Sequence, residues 1–309
     1  MAKGISFVMP VLNEEQYLER AVSSVFNQAV PGDMELVLAL GPSVDGTNEL
    51  AKKLKRRHGA KLQLVSVEIA NTSAQLNAAI AKAKYSVVVR VDAHSELNEG
   101  YAAIALETLS ETGAANVGGL MRAVGETSFQ SAVAYGYNNR VGLGGGAFHV
   151  GAKAGPSESV YLGVFDKEKL LSVGGFDPKW VRGQDWELNQ RLRAAGHQVW
   201  FDPRLQVTYR PRDSWQKLAK QFFKTGVWRG LLTRENPGGS AARYWVPPLL
   251  VLSLVFVFPL WIYLAAIALV AISAKGLTLG SRAWLVAVLP TMHLCWGTGF
   301  WLGLIRGAK

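Results

Sequence analysis

Cysteine is almost absent from this sequence. Its 309 residues include one cysteine, Cys295, so no disulfide bond can form within the chain. Such low cysteine use is typical of a reducing compartment. The N-terminal residues lack the charged and apolar segments of a secretory leader, and we therefore expect none. The glycine run 142–146 lacks the spacing and the Lys-Ser/Thr pair of a dinucleotide-binding or phosphate-binding loop, which excludes both fingerprints.

Acidic residues are missing beyond residue 245, where four Lys or Arg residues remain. The stretch from Arg204 to Arg243 contains nine Lys or Arg residues and two acids, so the formal net charge of +10 belongs to the C-terminal third. Two long uncharged runs, 246–273 and 283–305, follow this stretch. A basic cluster beside apolar runs is typical of a protein at an anionic membrane face, and we expect no nucleic-acid partner.

Each uncharged run exceeds the ~20 residues that cross a bilayer as a helix. Because the linker 274–282 is too short for a domain, we expect the two runs to form a transmembrane hairpin. The Lys/Arg excess before residue 246 predicts a multi-pass protein of the cell membrane whose large N-terminal part is cytoplasmic. Lys275 and Arg282, in the outer turn of such a hairpin, weakly oppose this orientation.

Aromatic and basic residues alternate at helical spacing in the segment 210–245. That pattern predicts a helix in the membrane interface, and a helix packed on the soluble domain with a solvated basic face is the alternative. The predicted organisation is therefore a domain over 1–209, an interfacial segment over 210–245 and a hairpin over 246–309. The two spans could also pack against those of a second copy, so a homo-oligomer is an open alternative.

Strand and helix patterns alternate with short connections over the first 209 residues. This alternation predicts an α/β fold with a doubly wound, mostly parallel sheet. Polar residues follow three of the predicted strands: Asn13 and Glu14 the first, Asp45 the second, and Asp92 the fourth. Right-handed crossovers place these loops at one edge of the sheet, where ligands bind in open α/β sheets.

The fourth strand is rich in β-branched residues over 87–91 and ends in Asp92, Ala93 and His94. Such a run predicts a strand that is buried on both faces. Asp92 and His94 are two residues apart, so in extended geometry they share one side and can hold a divalent cation. The alternative is an aspartate that caps a turn beside a surface histidine.

Four motifs carry a resemblance to a known family. They are Pro10–Glu15, the loop Ser43–Thr47, Asp92-Ala93-His94 in the place of a D-x-D motif, and Gly183-Gln184-Asp185 in the place of an E-D motif. With these motifs in this order, the chain resembles the family 2 glycosyltransferases, inverting enzymes of the GT-A fold. It is most similar to their membrane-bound succinoglycan-biosynthesis branch. His94 stands where most members have a second Asp, and Gln184 where many have Glu.

The resemblance implies a nucleotide-sugar donor, UDP- or GDP-linked, and a divalent cation, Mn²⁺ or Mg²⁺, on Asp92 and His94. Asp45 is then expected to bind the base of the nucleotide. Arg90 either touches the nucleotide or serves in the core or in a salt bridge. The residues expected to bind the nucleoside are Pro10, Leu12, Asn13 and Glu14.

The resemblance also implies that Asp185 is the general base that takes the proton of an acceptor hydroxyl. Asp is also favoured at a helix N-cap, and both roles can hold together. We expect transfer of one hexose per cycle to a lipid-linked (polyprenyl) acceptor in cell-envelope or exopolysaccharide synthesis, since a clear Q-x-x-R-W motif of processive synthases is absent. The alternatives are a polyprenyl-phosphate glycosyl synthase and a non-catalytic membrane scaffold.

Overall fold

A buried parallel sheet dominates the N-terminal half of the protein, in a computed structural model that describes residues 4–235 and 241–306. The chain divides into two units. The sheet unit contains residues up to 122 and residues 151–209, and the helical unit contains residues 123–150 and those from 210 onwards.

Nine strands form one sheet. They are β1 (Gly4–Val11), β2 (Asp33–Leu40), β3 (Leu62–Ser66), β4 (Val87–Arg90), β5 (Ser95–Leu97), β6 (Asn116–Ala123), β7 (Gly155–Pro156), β8 (Tyr161–Asp166) and β9 (Val199–Tyr209).

The strand order is β3-β2-β1-β4-β8-β6-β9-β5, with β7 paired to β9. The first four strands in this order are parallel, and antiparallel pairs join β4 to β8, β8 to β6 and β9 to β5. Val8 lies opposite both Val37 and Arg90 and has no exposed surface, so the middle of the sheet is covered on both faces. The predicted α/β fold with a mostly parallel sheet is confirmed, and the antiparallel strands extend it.

Thirteen α-helices are described. They are α1 (Leu18–Phe26), α2 (Thr47–His58), α3 (Thr72–Lys82), α4 (Tyr101–Thr112), α5 (Ser128–Asn138), α6 (Arg140–Leu143), α7 (Ala147–Val150), α8 (Lys167–Ser172), α9 (Gln184–Ala194), α10 (Trp215–Glu235), α11 (Val246–Ser253), α12 (Val257–Ser273) and α13 (Leu279–Arg306).

Side chains next to the helix starts explain where several helices begin. The Asn71 side chain accepts a hydrogen bond from the backbone N–H of Ala74 at the start of α3, and Thr127 does the same at the start of α5. These are the residue types that satisfy the unpaired N–H groups of a first helical turn. Helix α9 begins after Gly183, whose positive φ of 77° favours glycine. Asp185 therefore lies within the first turn of α9 and is not its N-cap residue.

Residues 123–150 belong to the helical unit, whereas the sequence analysis places them with the N-terminal domain. The reason is the packing of α5 along α13. The Phe129 and Trp284 rings meet edge to face at 5.2 Å between centroids.

The first uncharged run does not form one helix. It gives an 8-residue helix, α11, and a 17-residue helix, α12, separated at residues 254–256. Pro259 explains the break, because its ring clashes with the carbonyl four residues earlier, at Val255. Pro259 instead occupies the first turn of α12, where a missing N–H costs nothing.

Within the described residues, α13 is the one helix whose length and composition are sufficient to cross a membrane. Its most apolar window has a mean hydropathy of 1.3, and 44% of that window is buried inside the protein. Helix α12 is apolar but shorter. The expected pair of membrane-length spans is therefore not supported.

Candidate active site

The loops that follow β1 and β2 are fastened to each other by hydrogen bonds. The backbone N–H of Asn13 donates to Oγ of Ser43 at 3.0 Å, and that of Val44 donates to Oδ1 of Asn13 at 2.8 Å. The N–H of Glu14 donates to Oγ1 of Thr47 at 2.8 Å. Asn13 has a φ of +56°, a conformation that asparagine tolerates better than most residues. The two loops thus form one polar rim at the carboxyl ends of the strands.

Asp45 lies on this rim and is exposed. Its carboxylate accepts hydrogen bonds from the backbone N–H of Thr47 at 3.1 Å and of Glu15 at 3.4 Å. The Thr47 hydroxyl is the main group that lowers the pKa of Asp45, and the backbone donors add to it. Asp45 is therefore held ionised and oriented at the start of α2.

Behind the rim, the carboxyl ends of β1 and β2 share a buried side-chain amide. Nε2 of Gln75 donates to the carbonyls of Val11 and Ala39, both at 2.8 Å. Pro10 and Leu12 flank this point and are partly exposed. Sequence reasoning missed Gln75, although a buried polar residue on the apolar side of α3 is a detectable signal.

Arg90 is the centre of the site. Its side chain is 4% exposed and lies at the end of the buried strand β4. Nε and Nη2 both donate to Oδ1 of Asp92, at 3.1 and 3.0 Å, and Nη1 donates to Oδ1 of Asp185. One guanidinium thus joins the carboxylate that follows β4 to the carboxylate in the first turn of α9. Arg90 is expected either to touch the nucleotide or to serve in the core or in a salt bridge, and in the structure it forms salt bridges with Asp92 and Asp185.

The two carboxylates stabilise the charge of Arg90, whereas Asp92 opposes ionisation of Asp185. Burial alone would lower the pKa of Arg90, but Asp185 and Asp92 outweigh it and raise that pKa above the usual value. Burial also raises the pKa of Asp185, against the opposing effect of Arg90, and the nearby Asp92 raises it further. The Asp185 side chain keeps 35% of its surface exposed, so this carboxyl is surrounded by protein yet reachable from solvent.

The guanidinium of Arg90 packs over the face of the Phe176 ring. The centre of that ring lies 5.8 Å from Cζ of Arg90. Asn77 holds this residue in place, because its amide donates to the Phe176 carbonyl at 2.6 Å and accepts from the Phe176 N–H at 2.9 Å. Neither Phe176 nor Asn77 carried a recognisable signal in the sequence.

His94 contacts the polar rim at Glu14. Its Nδ1 lies 2.9 Å from Oε1 of Glu14, and its ring meets that of Tyr209 at 5.9 Å between centroids. His94 and Glu14 side chains are 25% and 19% exposed. The structure thus brings together two residues that the sequence analysis assigned to different ligands, the cation and the nucleoside.

No cluster of three or more His, Cys, Asp or Glu side chains that could hold a metal ion occurs in residues 4–235 and 241–306. Asp92 and His94 are the donors that the sequence predicts. In the structure Asp92 accepts from Arg90, His94 contacts Glu14, and residues 93 and 94 form a turn instead of the expected extended chain. One or two protein groups suffice for a Mg²⁺ or Mn²⁺ ion in a phosphate-transferring site when substrate oxygens complete its coordination.

Comparison with known proteins identifies the family. Residues 6–163 match the model of glycosyl transferase family 2, which is slightly more than half of the chain. This chain is a family 2 glycosyltransferase. The matched residues include the rim, Arg90, Asp92 and His94, whereas Asp185 lies beyond them.

Two curated relatives extend over nearly the whole length. The succinoglycan biosynthesis protein ExoA of Rhizobium meliloti is 31% identical over 96% of this chain and 94% of its own length. A dolichyl N-acetyl-alpha-D-glucosaminyl phosphate 3-beta-D-2,3-diacetamido-2,3-dideoxy-beta-D-glucuronosyltransferase of Methanococcus voltae is 26% identical over 98% of both chains. The resemblance to the succinoglycan-biosynthesis branch is confirmed.

Solved structures show the same fold. Residues 1–349 of S. aureus TarS, crystallised in complex with UDP-GlcNAc, match with a TM-score of 0.57 over 96% of this chain and 90% of that one. The sequence identity is 14%. This likeness confirms the expected GT-A architecture.

Proposed function

We propose that this family 2 glycosyltransferase moves a hexose from a UDP- or GDP-sugar to a hydroxyl group of a lipid-linked acceptor. The product would enter cell-envelope or exopolysaccharide assembly at the cytoplasmic face of the membrane. The observation that carries the proposal is the Arg90 contact, which holds a donor-side carboxylate, Asp92, and an acceptor-side carboxylate, Asp185, around one guanidinium.

The relatives support both substrates. The TarS structure is named as a complex with UDP-GlcNAc, which supports a nucleotide-sugar donor. The Methanococcus voltae relative is named for transfer to a sugar on dolichyl phosphate, and ExoA for succinoglycan synthesis. A relative that glycosylates a sugar favours a hydroxyl acceptor over a phosphate acceptor.

We assign the cation to Asp92 and His94. A bound Mn²⁺ or Mg²⁺ would neutralise charge on the leaving diphosphate as a Lewis acid. Glu14 supports the histidine in this arrangement, since a carboxylate that contacts one ring nitrogen orients the imidazole, which would then bind the cation. The role of Glu14 is then to orient His94 as well as to border the nucleoside site.

The polar rim provides the nucleoside site in this proposal. Asn13 and Asp45 are exposed on it, and Pro10 and Leu12 lie beside them. The hydrogen bonds between the two loops fix the rim before ligand binds, which reduces the entropy lost on binding. Asp45 remains ionised and can accept hydrogen bonds from the N–H groups of a base.

Asp185 acts as the base in this proposal. Its pKa is raised by burial, which makes its carboxylate a stronger proton acceptor than an ordinary aspartate. Arg90 holds the carboxylate at a fixed place through one oxygen and leaves the exposed part of the group to meet an acceptor hydroxyl. The proton moves from that hydroxyl to Asp185 as the hydroxyl oxygen attacks the anomeric carbon, and the bond between that carbon and the diphosphate oxygen breaks to release the nucleoside diphosphate.

Thermal unfolding in detergent tests the donor. UDP, GDP, CDP and dTDP are added one at a time, with and without Mn²⁺. A ligand that binds the folded state raises the apparent stability by RT ln(1 + [L]/Kd), so one nucleotide should raise the Tm in a Mn²⁺-dependent way. If none does, the result counts against the transferase and favours the non-catalytic scaffold.

Replacing the base tests the acceptor. The Asp185→Asn variant should lose roughly 10²- to 10⁴-fold in kcat and still show the nucleotide-dependent rise in Tm. A phosphate acceptor is already ionised at neutral pH and needs no base. Near-normal turnover of Asp185→Asn would therefore identify a polyprenyl-phosphate synthase instead.

A further inference from the structure

Helix α13 lies parallel to α10 with the two backbones in direct contact. A Cβ atom at Gly226 or Gly230 would overlap the backbone of Trp296 or Phe300, and one at Gly303 would overlap that of Val227. These are paired small-xxx-small contacts, which bring two helices unusually close. Because the backbones touch, any environment that surrounds this part of α13 also surrounds α10.

Hydrogen bonds at the two ends of α10 show which part of α13 lies beside it. Near its start, Nε1 of Trp215 donates to Oγ1 of Thr291 at 2.6 Å. At its end, Nη1 of Arg234 donates to the carbonyl of Ile305 at 2.8 Å. The whole C-terminal half of α13 therefore has α10 beside it.

Helix α10 carries charge where a bilayer would have its hydrocarbon. Lys217, Lys220 and Lys224 are exposed and follow one another at helical spacing, and Lys217 pairs with Asp213 at 2.8 Å. An uncompensated Lys or Arg at the centre of a membrane helix is strongly unfavourable. The C-terminal half of α13 is therefore not surrounded by hydrocarbon.

The N-terminal half of α13 packs against the start of α5, which follows the sheet unit after a few residues of the chain. Ser128 contacts the chain at Gly280, where an added Cβ would lie 3.3 Å from the serine hydroxyl. Ser128 is only six residues from Arg122, the last residue of the sheet unit before this segment. So short a connection cannot cross a bilayer, which requires ~20 apolar residues. The first turn of α13 is therefore on the same side of the membrane as the sheet unit.

The same reasoning applies to the middle of α13. Thr291 is bonded to Trp215, which is six residues from Tyr209 at the end of the sheet unit. Gly280 and Thr291 are about 16 Å apart along the helix axis and both belong to the near side of the membrane. Neither the N-terminal nor the C-terminal half of α13 therefore crosses the membrane.

Exposed apolar side chains are densest at the junction of α11 and α12, and they continue along α12 to Leu269 and Ile272. We call this junction the apolar elbow, and its side chains are 50–81% exposed without any charged residue among them. Its members are Leu252, Val255, Phe256, Val257, Phe258, Trp261 and Ile262. An exposed apolar patch of this kind marks a membrane or protein interaction site. The exposed lysines of α10, Lys217, Lys220 and Lys224, favour an anionic lipid surface as the partner of the apolar elbow.

We propose that the helical unit is monotopic: the apolar elbow dips into the leaflet that faces the sheet unit, and neither α12 nor α13 reaches the opposite side. The proposal explains Lys275 and Arg282, which oppose a hairpin topology because they would lie in its outer turn. In a monotopic protein both cations stay on the near side. The proposal rests on the membrane location proposed above, but not on the donor, the acceptor or the metal.

Cysteine accessibility in the full-length protein tests the topology. Cys295→Ser provides a cysteine-free background. Lys275→Cys and Leu279→Cys then report on the turn between α12 and α13, and Lys53→Cys on exposed helix α2 is the control in the sheet unit. A membrane-impermeant maleimide is added to right-side-out spheroplasts and, separately, to inside-out vesicles, and detergent-solubilised samples give the full labelling.

We expect both turn positions to label from the same side as the control, with at least tenfold preference over the other side. Labelling of the turn from the opposite side would restore the transmembrane hairpin and overturn the proposal. Labelling from neither side, with full labelling in detergent, would overturn it too, because the turn would then lie inside the bilayer. Recovery of the protein outside the membrane fraction would instead remove the membrane location itself.

Discussion

Nη1 of Arg90 donates to Oδ1 of Asp185, a residue 95 positions away in the chain. The same guanidinium holds Asp92 through two further donors. A buried arginine at the end of an apolar strand is expensive unless carboxylates surround it. The cost of placing a charge there is offset by the carboxylates of Asp92 and Asp185.

This contact predicts a graded loss of activity on substitution of Arg90. Arg90→Lys keeps the charge but loses the planar fork, so it cannot hold both carboxylates in the same geometry. We expect kcat to fall at least about tenfold with a small change in Tm, and Arg90→Met to lower Tm as well, because breaking a buried pair costs about 3–5 kcal/mol.

Arg57→Lys is the matched control, since Arg57 makes an exposed ion pair with Glu19 at 2.7 Å. Exposed pairs contribute at most about 1 kcal/mol, and neither kcat nor Tm should change measurably. Steady-state kinetics with the donor identified by thermal shift provide the comparison. Equal kcat for Arg90→Lys and Arg57→Lys would show that Arg90 does not position the carboxylates.

The raised pKa of Asp185 predicts the acid limb of the pH profile. A base must be deprotonated, so kcat falls as the pH drops through its pKa, and burial places that pKa above the ordinary value near 3.9. The limb should disappear in the residual activity of Asp185→Asn. An acid limb at or below the ordinary aspartate value would contradict the assignment.

The same shift predicts a stability effect with a definite sign. Between the unfolded and folded pKa values of Asp185, the folded protein binds more protons, so stability decreases as the pH rises through that window. Asp185→Asn removes this dependence. Tm measured against pH for both proteins checks it, and an unchanged slope in the variant would exclude Asp185 as the source.

The sequence predicted the sheet and its polar edge because their signals are local. Apolar runs such as 87–91 need only their own composition to identify a buried strand, and Asp92 and His94 follow directly. The Arg90–Asp185 contact was not predictable, since it depends on where α9 packs. Gln75 and Phe176 contribute through partners that are also distant in the chain.

In the C-terminal region, composition gave an incomplete answer. The uncharged run 246–273 satisfies a length criterion for a span, but Pro259 breaks it into two helices. The glycines of α10 and α13 are visible in the sequence at intervals of four. They acquire meaning only when the two helices are seen to face each other.

The Glu14–His94 contact predicts two different effects on cation binding. His94→Ala removes a ligand and should weaken Mn²⁺ binding, in the presence of nucleotide, by at least about 100-fold. Glu14→Gln removes the carboxylate that orients the ring and, at a nucleotide concentration that saturates the variant, should weaken Mn²⁺ binding by about 10- to 100-fold. Titration of Mn²⁺ followed by electron paramagnetic resonance measures both. His197→Ala is the control, and an unchanged Mn²⁺ affinity in His94→Ala would exclude His94 as a ligand.

The contact between α10 and α13 predicts an inverted effect at Gly230. In an open helix, Gly→Ala stabilises by about 1 kcal/mol because alanine has the better helix propensity. At Gly230 the added Cβ would overlap the Phe300 backbone, and overpacking of this kind costs about 1–3 kcal/mol or more. Gly230→Ala should therefore lower the Tm in detergent by several degrees, whereas Thr225→Ala on the exposed side of the same helix should leave it unchanged or raise it. A higher Tm for Gly230→Ala would mean that the two helices are not in backbone contact and that α10 and α13 need not share one environment.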